Sequence, residues 1–363
     1  MMCQLIVAGR GLITSIHLVI LVFIASLACV SFGFSFQQQL PQQYWRGIPY
    51  ITTRHNNLPM LLQLSNISTE GNTSSSEHES IKANPFKSDL RRIQAVRFLN
   101  MKRKVKITAV PVDADTLLLP DDYNTKIIHF QRHGQGAHNI LFKSWREVAG
   151  NILDRDSTDP KLNPLLSGDL VDSPLTDVGI QQCIDQRLEI EKIASSNFAL
   201  NPKLIIVSPL QRAIQSAELS WDAFKCWDNK QQSSEVVVPW IAHEGCRESL
   251  GLYQCNKRRC KSVIQEENPN IDFSLLTNEE DVLFLEDRRE SDIEKSNRVY
   301  NFLTNYVRNL PQSEIAIVCH SGWLFNMCNA VMDIQDKHLK TMFATSEIRS
   351  MKVIYTNIEQ TNY

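Results

Sequence analysis

The alternation of short apolar runs with helix-spaced stretches through the second two-thirds of the chain constrains its fold more than any other feature. Lys126-Ile127-Ile128-His129-Phe130-Gln131 is a β-branched run that ends in a polar cluster and reads as a strand. Thr176 then precedes a helical pattern through Ile184, Leu188 and Ile193, with its hydroxyl placed to cap that helix. Leu204 to Val207 reads as a buried strand, followed after Ser208-Pro209 by a helix through Ala213 and Leu219. Val236 to Val238 reads as a third strand, Ile293 to Val307 as a helix, Ile315 to Val318 as a fourth strand and Trp323 to Met332 as the helix after it. Strands separated by helices must be joined by crossovers, so they run mostly parallel and are covered on both faces. The expected fold is α/β, a three-layer α/β/α sandwich with a mostly parallel central sheet, occupying residues 121–363.

With 43% hydrophobic and 21% charged residues, the chain carries enough apolar material for a substantial core, which excludes collagen, coiled coil and disorder throughout. Lys plus Arg total 38 against 40 Asp plus Glu, so the net charge of −2 gives no global pull toward nucleic acid, and anion specificity must be local. The nine cysteines form no CxxC pairs. Cys246, Cys255 and Cys260 are the only close group; a disulfide among them stands as an alternative to reduced, buried thiols.

The front of the chain reads as a leader. Residues 1–33 hold Arg10, an apolar run from Leu18 to Val30 and small residues at Ser31 and Gly33, the anatomy of a signal peptide or signal anchor. Cleavage before Phe34 or near Ala28 is expected in the first case. No Asp or Glu precedes Glu70, and this acid-poor stretch resembles a compound plastid presequence. Asn66-Ile67-Ser68 and Asn72-Thr73-Ser74 are glycosylation triplets that would suit a secretory lumen instead. Residues 34–120, rich in Gln, Asn and Ser, read as low-complexity linker. Within them, 91–106 is a basic, helix-compatible segment that either lies on the domain or touches a membrane surface.

Polar signals sit where the strands end, which is where open α/β sheets bind ligands. The first strand runs into Arg132-His133-Gly134-Gln135-Gly136-Ala137-His138-Asn139, the second into Ser208-Pro209-Leu210-Gln211-Arg212 and the fourth into His320-Ser321-Gly322. Two arginines and two histidines suit a phosphoryl group. Guanidinium forks neutralise its oxygens, a neutral imidazole attacks phosphorus, and a second imidazole stabilises the transferring charge. A carboxyl must then protonate the departing oxygen; Glu248 is the candidate and Glu244 its neighbouring competitor. The arginines carry the charge, so this chemistry needs neither metal nor cofactor.

Arg-His-Gly with Asn six residues after the His, Leu175-Thr176-x-x-Gly179, Ser208-Pro209-x-x-Arg212, Glu248-x-x-Gly251 and His320-Ser321-Gly322 together resemble the histidine phosphatase superfamily. The stretch from Cys246-Arg247-Glu248 to Arg258-Arg259, followed by Asn270-Ile271-Asp272-Phe273, is similar to its phosphoglycerate-mutase-like group of plants, algae and fungi. The resemblance implies that His133 is the phospho-accepting nucleophile and that Arg132, Arg212 and His320 complete the phosphate pocket. It also implies that Asn139 contacts phosphate and that Glu248 is the acid/base.

The mutases of that family have Glu-Ser where this chain has Gln135-Gly136, so phosphatase is expected before mutase. A silent phospho-ligand-binding protein is the rival of another class. The expected partner is a small phosphorylated substrate, with no nucleic acid. Arg258 and Arg259 are candidates for the far end of an anionic substrate, against a solvated basic loop. His129 and His138 are expected to pack rather than react, and His243-Glu244 lacks the second histidine of a zinc-protease motif.

Overall fold

The apolar runs pair into a seven-stranded sheet in the order β4-β3-β5-β2-β7-β1-β6. The strands are β1 Val105–Pro111, β2 Thr125–Arg132, β3 Ile205–Val207, β4 Trp240–Ala242, β5 Glu314–Cys319, β6 Asp333–Ile334 and β7 Ile348–Asn357. The computed structural model describes residues 103–112, 124–149, 157–194, 200–224 and 238–358, with five further positions between Leu90 and Arg97. Residues 1–33, the glycosylation triplets and most of the linker lie outside these. Strands β4, β3, β5 and β2 are parallel neighbours, β7 is antiparallel to both β2 and β1, and β6 joins β1 in parallel.

The central strands bury both faces, as parallel sheets do. In β5, Ile315, Ile317 and Cys319 face one core cluster with the helices α5 Asp292–Asn301 and α6 Ser321–Asn326. Ala316 and Val318 face the other, with α2 Asp177–Ala194, α3 Gln211–Ser220 and α4 Lys261–Glu267. Remaining between β2 and these is α1 Ala137–Ala149. Three layers result, with each fully buried aliphatic side chain contributing about 1.5–3 kcal/mol. Thr176 caps α2 as expected, its Oγ1 accepting from Gly179 N at 3.1 Å. The expected helices after Ile293 and Trp323 both loosen into π-helical turns, at Phe302–Tyr306 and Met327–Val331.

Two expectations are corrected. The third strand is Trp240–Ala242, and Val238 at the end of the expected run precedes it without strand pairing, while Val236 and Val237 lie outside the described residues. Pro239 has no N–H for a ladder and biases the residue before it, so pairing with β3 begins only beyond the proline. The sheet also does not wait for residue 121. Strand β1 lies inside the expected linker 34–120 and overlaps the basic segment 91–106 at Val105 and Lys106. Its alternation buries Ile107 and Ala109 while Lys104 and Lys106 stay exposed, so a one-sided strand reads as a basic surface in sequence. Upstream, the described helical positions bury Ile93 and Val96 against Ala330, and Arg97 and Lys106 both pair with Asp333.

Candidate active site

Strand register brings the two histidines together. Arg132 pairs with Cys319 across β2 and β5, so His133 and His320, each the next residue, leave the sheet side by side with ring centroids 5.1 Å apart. Val207 of β3 pairs with Val318, placing Ser208 within reach of the second ring; Ser208 Oγ lies 2.7 Å from His320 Nε2. Both imidazoles are buried, His133 at 2% exposure and His320 at 0%. Burial first, then the Arg212 charge, holds both well below the usual histidine range, so both are neutral near pH 7.

The tautomer of His133 follows from its partner. Nδ1 lies 2.6 Å from the Gly134 carbonyl, which only accepts, so Nδ1 carries the proton and Nε2 keeps its lone pair. This loop packs tightly on the start of α2. A Cβ on Gly134 would approach Gly179 O to 2.5 Å, so a side chain there would displace the nucleophile's loop.

The arginines are anchored on one edge each. Arg132 Nη1 donates to Phe343 O at 2.7 Å; Arg212 donates through Nη1 to Cys255 O at 2.5 Å and through Nη2 to Asn256 Oδ1 at 2.9 Å. Arg132 Nε, Arg212 Nε and His320 Nδ1 are buried without a hydrogen-bond partner. Orphaned Nε atoms also occur at Arg103, Arg187 and Arg247, but these three nitrogens belong to side chains grouped around His133, where an oxyanion offers them several acceptors.

Glu248 reaches the same place from the loop after β4. Its Oε2 accepts from Gly322 N and its Oε1 from Ser249 N, both at 2.9 Å. Burial pushes its carboxyl up, but Lys295, these two N–H groups and Arg212 outweigh that and hold it below the ordinary range. The competitor Glu244 is committed elsewhere, to Arg247 and Arg258 at 2.9 Å each. Arg247 also forms a two-pronged pair with the buried Asp281, and Arg298 of α5 donates to the carbonyls of Gly245, Arg247 and Glu248. Fixed charges thus brace the loop that carries Glu248.

Asn139 is used within the loop. Its Oδ1 accepts from Gly136 N and its Nδ2 donates to His138 Nε2, both at 2.9 Å, leaving one amide hydrogen for an oxyanion. That bond leaves the His138 proton on Nδ1, 3.3 Å from Ser173 Oγ. His138 packs 5.6 Å from His133, and His129 lies between Ser350 and Glu314, so both are packed as expected.

The candidates for the far end of a substrate are engaged by the protein's own acceptors. Arg258 is 4% exposed and donates to Glu244 and to the carbonyls of Arg259, Asn278, Glu279 and Glu280. Arg259 donates to Asp172 and to both oxygens of Glu267. Both are structural braces. The described cysteines, Cys246, Cys255 and Cys260 among them, are free thiols. Sequence reasoning missed Asn256 and Lys295. Asn256 had no distinguishing signal, whereas Ser291-x-x-Glu294, a capping box, marks the start of α5 and fixes which of its residues share a face.

Residues 158–357 match the model of the histidine phosphatase superfamily (branch 1), a stretch that begins after Arg132-His133. The chain is 32% identical over 253 residues to phosphoglycerate mutase-like protein 1 of Arabidopsis thaliana, covering 64% of this chain and 82% of that protein. It is 27% identical over 223 residues to the probable phosphoglycerate mutase PMU1 of Saccharomyces cerevisiae, covering 55% and 71%. Among solved structures, a mycobacterial glucosyl-3-phosphoglycerate phosphatase aligns with a TM-score of 0.35 at 16% identity, covering 64% of this chain and 98% of that one.

Proposed function

The chain belongs to the histidine phosphatase superfamily, and on that premise we propose that it hydrolyses small phosphomonoesters through a phosphohistidine on His133, without a metal. The observation that carries this reading is the set of three buried nitrogens without partners, Arg132 Nε, Arg212 Nε and His320 Nδ1, around a histidine whose Nε2 is free. In the first half-reaction, His133 Nε2 bonds to phosphorus as the ester P–O bond breaks, and the protonated Glu248 carboxyl gives its proton to the departing oxygen. Arg132, Arg212 and His320 bind the equatorial oxygens, with Asn139 supplying one further donor. In the second, Glu248 takes a proton from water, whose oxygen displaces His133 from phosphorus and releases inorganic phosphate. Because Glu248 is ionised at rest, the first half-reaction needs one proton taken up from solvent or from a phosphate monoanion, and the proton that Glu248 takes from water in the second is released as the resting carboxylate is restored.

A phosphoglycerate mutase is the second reading, favoured by the names of the relatives. Gln135 in place of the mutases' glutamate, and the closed pairing of Arg258 and Arg259, favour hydrolysis over retention of a carboxylated product. The test is phosphate release from an aryl phosphate in the presence of chelator, beside His133→Ala. Turnover that survives chelator and vanishes in the variant supports the phosphatase. Isomerised phosphoglycerate without free phosphate would establish the mutase, and phosphate binding without turnover a silent pocket. For the leader, N-terminal sequencing of the mature protein distinguishes cleaved signal from anchor.

A further inference from the structure

Lys295 is a buried lysine that the chemistry above does not use. It sits on α5 with a side chain 7% exposed, and such lysines are seldom buried unless their charge has a purpose. Its Nζ donates to Ser249 Oγ at 2.9 Å and lies 3.4 Å from Asp292 Oδ1. Ser249 is the residue whose N–H binds Glu248 Oε1, and its carbonyl accepts from Asn256 Nδ2 at 2.9 Å. Asn256 Oδ1 in turn accepts from Arg212. One hydrogen-bonded chain therefore links Lys295 through Ser249 to the Glu248 carboxylate and to a phosphate-pocket arginine. One turn further along the same face, Arg298 grips the Glu248 carbonyl at 3.0 Å, so α5 fixes both the position and the surroundings of that residue.

Resting on the phosphatase reading, we propose that Lys295 is a positioning residue that keeps the Glu248 carboxylate charged until phosphate enters, so that proton uptake and substrate binding are coupled. A hydrogen bond to Ser249 needs only a neutral donor, so the full positive charge serves the carboxylates near it: Asp292, 3.4 Å away and partly exposed, and Glu248 within the site. The groups facing Glu248 are Lys295 from α5, Arg212 from α3, Arg132 from the end of β2 and the thiols of Cys255 and Cys319, with Arg298 on its backbone. From α6 it meets the Gly322 N–H. Lysine and arginines together favour the anion. An arriving phosphate dianion offsets the arginines and makes the neutral carboxyl, the form that can protonate a leaving group, easier to reach.

The test is a carboxyl ¹³C titration of the full chain labelled at glutamate, with the Glu248 signal identified by its loss in Glu248→Gln, with and without saturating inorganic phosphate. Lys295→Gln keeps a donor for Ser249 and removes the charge. It is expected to raise the Glu248 midpoint without phosphate by about one pH unit or more, whereas Lys295→Arg keeps it low. In the wild type the midpoint is expected to rise on adding phosphate. Equal midpoints in wild type and Lys295→Gln, or a wild-type midpoint indifferent to phosphate, would overturn the proposal. Should Lys295→Gln fail to fold, Lys295→Met carries the same expectation, and the wild-type phosphate arm stands alone. This readout needs no turnover, so its failure is distinct from that of the phosphatase reading, which falls if His133→Ala still releases phosphate.

Discussion

Gly322 shows how little slack surrounds the reacting groups. Its N–H binds one oxygen of Glu248, and a Cβ there would run into the other. Gly322→Ala must push the carboxylate aside, and a displacement near 1 Å costs on the order of 10²-fold in rate. We expect kcat for an aryl phosphate to fall by that order while the melting temperature moves by only a few degrees; an unchanged kcat would show that Glu248 is not needed where it sits. Arg258 gives the opposite pattern. Removing a buried guanidinium with this many acceptors costs about 3 kcal/mol, so Arg258→Ala should lower the melting temperature by roughly 6–12 °C and leave KM for a carboxylated phosphomonoester within about twofold of wild type. A large rise in KM without destabilisation would return Arg258 to the substrate. The convergence of His133, His320 and the two pocket arginines was legible in sequence because each ends a strand, follows directly on one or opens the helix after one. Two adjacent arginines look in sequence like an anion clamp or a solvated loop, whereas in the structure Arg258 and Arg259 are paired with carboxylates. Their acceptors Glu244, Glu267 and Asp172 stand 14, 8 and 87 residues away, and nothing local announces such pairings.

At the level of elements, β1 decides where the folded unit starts. It pairs along seven residues with β7 and also borders β6, and Ile107 is 2% exposed. A chain starting at residue 121 therefore leaves one edge of β7 bare and a hole where Ile107 packed, a loss of about 2–5 kcal/mol for that side chain alone. We expect such a chain to unfold at lower urea and to aggregate more readily than one starting near residue 88, as seen by denaturation and light scattering; equal midpoints would make β1 dispensable. The four parallel strands were legible, three of them to within two residues, because burial on both faces makes them continuous apolar runs. Strands β1 and β7 were not recognised, since basic residues interrupt their apolar positions: Lys106 alternates with Ile107 and Ala109 in β1, and Arg349 and the buried Lys352 stand among Met351, Val353 and Tyr355 in β7. The π-helical turns that end α5 and α6 were equally hidden, because each comes at the end of its helix, where few positions follow to show a shift in apolar phase.

For the molecule as a whole, the buried imidazoles set the response to acid. His133, His138, His243 and His320 all lie below the ordinary histidine range, chiefly through burial, His243 at about 4. Between that value and about 6.5 the unfolded chain binds protons that the native state does not, so stability rises with pH through this window and is lost as pH falls. Each such group adds up to about 1.4 kcal/mol per pH unit. Urea midpoints should fall steeply from pH 6.5 to 4.5. His243→Asn, which keeps an acceptor for Gly245 N–H, should flatten the slope by about one histidine; an unaltered slope would remove His243 from the account. The sheet order carries a last consequence, for synthesis. Because β7 lies between β2 and β1, the strand that leads into the nucleophile has no neighbour on that side until residues 348–357 have been made. The sheet therefore cannot close before β7 has left the ribosome, and a message truncated just before residue 348 would yield every residue of the pocket on a scaffold with an open seam.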